Sequence, residues 1–328
     1  MTQKIGLIGS DSSHVERFTE ILNVDDHPAY WPDSGARVWA IWGEDPQRTR
    51  DAADQGRIPM VGSSPEQVVD QSDMVFVVAR HGGLHLDHAK PVIAAGKPLF
   101  VDKPFTQTPD QARALISLVE ESGIPMTSLS TLHYGSDARV YGKGLRAASP
   151  VRYAAYIGPA ARQNQYGGIV FYAIHAVELM LNFHGVDVVS VNAVEGRTGA
   201  DKSNINATCT YGDGTLVSLG LIGDGTPGFY MMGVGRDGIV EVPGTVRNYA
   251  ADAASRSLVE GGGTQIPQSA ADTPKVDYYE NGMRAILSVL RGEKPSDITH
   301  EQMLRAIQVC SAIEESLLRG AAVDPRNL

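Results

Sequence analysis

Apolar residues in the first third of the chain fall in short, nearly continuous runs. They are "KIGLIG" from Lys4, "RVWAIWG" from Arg37 to Gly43, "MVFVVA" from Met74 to Ala79, "PLFVD" from Pro98 to Asp102 and "PMTSLS" from Pro125 to Ser130. Such runs predict strands buried on both faces. Helix-start signals separate them. Asp45-Pro46, Ser64-Pro65 and Thr108-Pro109 each place a capping side chain before a proline at the first helical position. Gln67 and Gln111 complete capping boxes, and Ser13 with Glu16 and Thr299 with Gln302 have the same form.

Strands alternating with helices predict a parallel, doubly wound sheet of the Rossmann type over residues 1–128. From about Pro150 the pattern changes. "VRYAAYIG", "VVSVNAVEG", "NATCTYGDGTLVSLGLIG" and "GIVEVPG" read as strands joined by glycine turns, with "YGDGT" a hairpin signal. A helix from Phe171 to Phe183 interrupts them, and two helices close the chain. The expected architecture is α/β: an N-terminal Rossmann domain, then an α+β domain over 129–328 with a large, mostly antiparallel sheet. The last helix is free to pack back on the first domain. Residues 244–276, rich in Ala, Ser, Gly and Asp, read as a long surface loop.

The length of 328 residues agrees with two domains, since single cores stop growing at about 250–300. A net charge of −10 without basic blocks argues against nucleic acid or an anionic membrane as partner. "MTQKIGLIG" enters its first strand at once, so no secretory signal is expected, and no apolar run is long enough to span a bilayer. Two distant cysteines, Cys209 and Cys310, fit a reducing cytoplasm better than a disulfide framework.

Candidate chemistry begins at "GLIGSDSSH". The dinucleotide fingerprint G-x-G-x-x-G would fall on Gly9, Asp11 and His14, so the second and third glycines are missing. A carboxylate about 4 Å from a phosphate is repelled by about 4 kcal/mol at intermediate dielectric. Either Asp11 turns away or no pyrophosphate binds. Hydroxyls of Ser10, Ser12 and Ser13 beside the helix N–H groups are the expected donors; a plain capped helix start is the alternative. After the second strand Asp45 serves as a cap, leaving Glu44 for the adenosine ribose or for solvent. A carboxylate there favours NAD over NADP.

Arg80, His81 and His85 begin a histidine-rich stretch expected to border a ligand cleft. His81, His85 and His88 lack a fixed tetrahedral shell, because Gly82-Gly83 breaks the helix, so no metal site is expected. Lys103, at the carboxyl end of a buried strand in "FVDKPF", stands where a doubly wound sheet binds ligands and can stabilise a developing oxyanion. His175 lies on an otherwise apolar helix with Glu178 at i+3 to orient it, or is a packed core residue. His133 follows the last strand of the first domain. Arg162 and Asn164 lie in the polar segment "ARQNQYGG".

Together "GLIG", "LHLDHAKPVIAAGKP", "GKPLFVDKPF" and "GGIVFYAIH" resemble the Gfo/Idh/MocA family of sugar and polyol dehydrogenases over nearly the whole chain. The third segment mirrors the family's E-K-P motif, the fourth its G-G-x-x-x-D-x-G-x-H motif. The resemblance implies an NAD(P)-dependent oxidoreductase acting on a sugar, sugar derivative or polyol. It makes Lys103 and His175 the catalytic pair. It implies Asp102 beside the cofactor and a substrate near His133, Arg162, Asn164, Tyr172 and His175, between the Lys103 strand edge and the second domain's sheet. A homo-oligomer, dimer or tetramer, is implied. The departures are Asp102 for Glu, Asp11 and His14 for glycines, and Phe171 where the family has Asp, with Glu178 or Tyr172 as stand-ins. They leave two alternatives: a non-catalytic sensor on the same fold, or an NAD-using lyase or hydrolase working by transient oxidation.

Overall fold

A computed structural model describes residues 2–197, 203–223, 228–243 and 277–328. The expected loop at 244–276 lies outside the described residues. The chain divides into two compact units: Met1–Thr131 with Tyr278–Ile307, and Leu132–Asp277 with Gln308–Leu328.

The first unit is built on strands β1 (Gln3–Ile8), β2 (Ala36–Trp42), β3 (Met60–Val61), β4 (Met74–Val77), β5 (Leu99–Val101) and β6 (Met126–Ser128). They form one parallel sheet in the order β3-β2-β1-β4-β5-β6. Helices α1 (His14–Leu22), α2 (Pro46–Gln55), α3 (Pro65–Asp70), α4 (His85–Ala94) and α5 (Pro109–Ser122) connect the strands. Asp45, Ser64 and Thr108 cap their helices as the sequence predicts.

The box at Ser13 does not form. Ser13 already has helical backbone angles and makes no side-chain cap; Ser12 Oγ accepts from His14 N at 3.2 Å instead. Glu16, the expected partner, pairs with Arg48 of α2. Helix α1 is held to the sheet by Phe18. Its ring meets Phe76 of β4 and Phe100 of β5 edge-on, at centroid distances of 5.8 and 6.0 Å. All three rings are fully buried, and each such contact adds about 0.5–1.5 kcal/mol beyond burial itself.

The second unit holds β7 (Val151–Pro159), β8 (Val188–Arg197), β9 (Ser203–Tyr211), β10 (Leu216–Ile222), β11 (Tyr230–Gly235) and β12 (Ile239–Pro243), with helices α6 (Ser136–Ala148) and α7 (Val170–His184). The sheet order is β12-β11-β7-β10-β9-β8, antiparallel except for the parallel pair β7 and β10. The "YGDGT" turn closes the β9–β10 hairpin, with Gly214 at φ +86 and Tyr211 N donating to Thr215 O. Two helices end the chain. The first, α8 (Asp277–Leu290), belongs from Tyr278 to the first unit, and α9 (His300–Arg319) passes from the first unit into the second. Its Thr299–Gln302 box is reciprocal, at 2.9 and 3.1 Å.

Helix α6 and strand β11 have no counterpart in the sequence reading. Two glycines weaken the helical pattern of α6. Packing explains one of them: a Cβ at Gly144 would fall 2.4 Å from Val240 of β12. Between α6, α7 and the sheet lies a polar aromatic cluster. Tyr141 donates to Met232 O at 2.8 Å, and His184 Nε2 is 2.9 Å from the Tyr156 hydroxyl.

Burial pushes the His184 imidazole down to about 4. Between its ordinary value of 6.5 and about 4 the unfolded chain binds a proton that the folded chain refuses, so stability falls as pH is lowered through that window. The loss is at most about 3 kcal/mol. His184→Gln is expected to shrink the drop in melting temperature between pH 7 and pH 4.5; a drop as large as in the unaltered chain would contradict this.

Candidate active site

The carboxyl ends of β1, β2, β4 and β5 lie along one edge of the first sheet and carry most of the candidate residues. Gly9 turns the chain out of β1 at φ +105, and a Cβ there would sit 2.4 Å from Ala79 N. Only glycine allows this approach of two strand ends. Gly9 N donates to Trp42 O at 2.8 Å. Asp11 turns sideways: its Oδ1 accepts from the Arg80 backbone N–H at 2.9 Å, tying the turn to the end of β4.

Ser10 is 1% exposed and its hydroxyl pairs with Thr49 of α2 at 2.9 Å. Ser12 is buried and engaged with His14 N, whereas Ser13 is exposed. His14 points inward, its Nδ1 2.7 Å from Asp102 Oδ2.

Asp102 ends β5. Its other oxygen accepts from the Lys103 N–H at 2.8 Å. Burial pushes this carboxyl up, but the adjacent His14 and Lys103 outweigh it and hold it below the usual carboxylate range. The ionised Asp102 is 1% exposed and bonded to both of these neighbours. Lys103 is itself buried. Tyr279 of α8, which nothing in the sequence singled out, lies edge-on to the His14 ring at 5.5 Å.

The histidines of the next segment are each engaged separately. His81 caps the short turn Gly82–Leu84 through Nδ1, which accepts from Gly83 N at 3.0 Å. Arg80 and His81 are half-buried. His85 has no exposed surface. Its Nε2 donates to Ala79 O at 2.7 Å, and Nδ1 lies 3.2 Å from Phe105 O. Burial holds its imidazole below the ordinary value. His85 therefore ties the segments after β4 and β5 together.

His88 Nε2 pairs with Glu44 Oε1 at 2.7 Å. Burial raises the Glu44 carboxyl, but the His88 hydrogen bond prevails and holds it low. Glu44 stays ionised and substantially exposed at the end of β2. Among the described residues no three metal-ligating side chains converge.

The second unit carries the remaining candidates. His175, on α7, is buried among rings: Phe229 at 5.5 Å and Tyr172 at 6.0 Å. Phe171 is buried too, between Tyr166 and Tyr172 at 5.1 and 4.8 Å. An aromatic row thus occupies the surroundings of the position where the resemblance expects an acid. Tyr172 is 40% exposed. Glu178 lies near Cys310 of α9, whose thiol is pushed up by burial and then by that carboxylate.

Arg162 is held by Glu314 at 2.9 Å and Glu195 at 3.2 Å, within the unit. Its guanidinium ties α9 and β8 to the loop before α7. The Asn164 carboxamide oxygen accepts from Tyr166 N at 2.8 Å and shapes the same loop. His133 lies in the turn Thr131–Tyr134, where the chain passes from one unit to the other, with its ring against Tyr134 at 4.8 Å.

Residues 4–128 match the model of the GFO_IDH_MocA family, described as an oxidoreductase family with an NAD-binding Rossmann fold. The matched stretch coincides with the Rossmann sheet of the first unit. Inositol 2-dehydrogenase of Burkholderia lata is 27% identical over 212 residues, which are 59% of this chain and 58% of that protein. The match thus spans less than two thirds of the curated relative's length. The crystal structure of myo-inositol dehydrogenase from Lactobacillus casei in complex with NAD(H) and myo-inositol has a TM-score of 0.77 at 17% identity, covering 99% of this chain and 97% of that one. That of a probable dehydrogenase from Thermotoga maritima has a TM-score of 0.79 at 14% identity, covering 99% of both. At such identities the likeness is one of fold.

The placement of Arg162 has a measurable consequence. Arg162→Met leaves Glu195 and Glu314 without their shared cation, at a cost of about 1–2 kcal/mol for half-buried groups. A melting temperature lowered by a few degrees is expected; an unchanged one would count against the structural role.

Proposed function

We propose that this chain is an NAD-dependent oxidoreductase, with NADP as a weaker cofactor, acting on a hydroxyl-bearing carbon of a sugar, sugar derivative or polyol. The first unit binds the cofactor and the second the substrate. The observation that carries this reading is Lys103, buried just past β5 at the carboxyl edge of a doubly wound sheet, its backbone N–H bonded to the Asp102 carboxylate.

The residues of this edge fit a dinucleotide. The charge of Asp11 is drawn onto the Arg80 N–H, which weakens the repulsion that counted against a pyrophosphate. The N-terminus of α1 at Ser12 and Ser13 would hold that pyrophosphate. Glu44 has one oxygen fixed by His88 and would accept from the adenosine ribose, its charge disfavouring a 2′-phosphate.

When bound, the nicotinamide supplies the two-electron acceptor. His175 takes the proton of the substrate hydroxyl as general base. Lys103 donates to the oxygen as the carbonyl forms. Tyr172 and His133 orient the substrate. Packing against Phe229 and Tyr172 fixes the imidazole, the task an acid at position 171 would otherwise perform. The inositol dehydrogenase named for the Burkholderia relative, and the bound myo-inositol and NAD(H) of the Lactobacillus structure, support the substrate and cofactor class.

One observation favours a second reading. Phe171, buried where the family has Asp, suits a ligand sensor that binds without turnover. We also propose a cytoplasmic homo-oligomer. Two free, buried cysteines support the compartment. Self-association is supported by Tyr153, Val194, Leu216 and Ile239, exposed apolar residues that the strand register places on one face of the second sheet. Among the described residues no helix is long and apolar enough to cross a membrane.

Calorimetric titration is expected to show NAD(H) binding at micromolar affinity or tighter; no heat with NAD(H) or NADP(H) would favour the sensor. Against a panel of sugars and polyols, His175→Ala is expected to lower kcat by about 10²–10⁴-fold with cofactor binding retained. Unchanged turnover would remove its assigned role.

A further inference from the structure

Two of the chain's departures from its family motifs meet in the structure. His14 stands where the fingerprint has its third glycine, and Asp102 where the E-K-P segment has glutamate. Their side chains form a buried hydrogen-bonded pair, Nδ1 to Oδ2 at 2.7 Å, with His14 7% and Asp102 1% exposed. The geometry follows from α1. Phe18 lies one turn beyond His14 on the same helical face and packs on Phe76 and Phe100, so that face looks toward β4 and β5. A side chain at position 14 therefore projects to the end of β5.

Asp102 is one methylene shorter than glutamate and turns Oδ1 back to the N–H of the next residue, Lys103. Oδ2 is left facing α1, where a glycine would offer it no donor. Phe18 at 5.6 Å and Tyr279 at 5.5 Å enclose the imidazole.

We propose that His14 is a positioning residue for Lys103: it fixes the Asp102 carboxylate, and that carboxylate fixes the backbone from which Lys103 projects. On this account positions 14 and 102 are a coupled exchange, imidazole with the short acid in place of glycine with the long one. The inference rests on the catalytic role proposed for Lys103, but the pairing itself is testable without turnover.

The test compares His14→Ala, His14→Asn, Asp102→Glu, His14→Gly and the double variant H14G/D102E. Asparagine retains an N–H donor near the position of Nδ1. Amide hydrogen exchange of the segment 99–107 is the first readout. His14→Ala is expected to speed it about 10-fold or more, and His14→Asn to keep it close to that of the unaltered chain. The second readout is kcat at saturating NAD and substrate. His14→Ala is expected to lose about 10-fold or more while NAD affinity changes less than about 3-fold; His14→Asn restores most of the loss. The third is coupling: H14G/D102E is expected to lose at least about 3-fold less than the product of the single losses.

Unchanged exchange in His14→Ala overturns the proposal, as does His14→Asn no better than His14→Ala, or strictly multiplicative losses. If His14→Ala does not fold, the Asn and Glu variants carry the same comparisons. An unaltered chain that neither binds NAD nor turns over would sink the proposed function, while the exchange result still decides the pairing.

Discussion

An ionised carboxylate inside a protein costs several kcal/mol unless it is paired and hydrogen-bonded. Asp102, just past β5, has each oxygen bonded by a group from a different place in the chain. The His14 imidazole comes from the first turn of α1, and the N–H of Lys103 from the residue next door. Removing either donor would leave a buried charge uncompensated. The position of α1, the path of the turn after Gly9 and the placement of Lys103 are therefore tied to one carboxylate. Asp11 repeats the device more mildly at the end of β4, where it accepts from Arg80 N. His85 joins the loops after β4 and β5 through two carbonyl oxygens. The edge of the sheet is thus a set of strand ends laced together by short polar contacts.

This arrangement explains how a fingerprint with two missing glycines remains compatible with a dinucleotide. The first glycine is kept because a Cβ there would collide with the backbone of Ala79. The second position is charged, but its charge is directed along the sheet edge. The third normally permits close helix–strand packing; here it holds a ring that packs beneath Tyr279 and bonds to β5. In the second unit Tyr172 and Phe229 pack against the His175 ring, and Phe171 packs against Tyr172 in turn.

Much of this was legible in the chain itself. The buried strands follow from their continuous apolar runs, and the caps at Asp45, Ser64, Thr108 and Thr299 from residue types whose only requirement is local. Lys103 stood out because packing alone explains a lysine at a strand end poorly. What was hidden depends on residues distant in sequence. The Ser13 box looked sound locally, yet Glu16 is taken by Arg48 of the next helix. Nothing near Arg162 or His85 in sequence shows that Glu195 and Glu314 engage the one, and Ala79 and Phe105 the other. Helix α6 was masked by glycines, one of which is needed only because Val240 lies against it. The His14–Asp102 pair spans 88 residues, and its two halves read separately as defects in two motifs.

The most direct measurement of the central claim is a crystal structure of the protein grown with NAD. The account predicts the pyrophosphate at the N-terminus of α1, Asp11 still bonded to Arg80 N, and His14 still bonded to Asp102. A dinucleotide bound elsewhere, or Asp11 turned toward the phosphates with the His14–Asp102 pair broken, would contradict it.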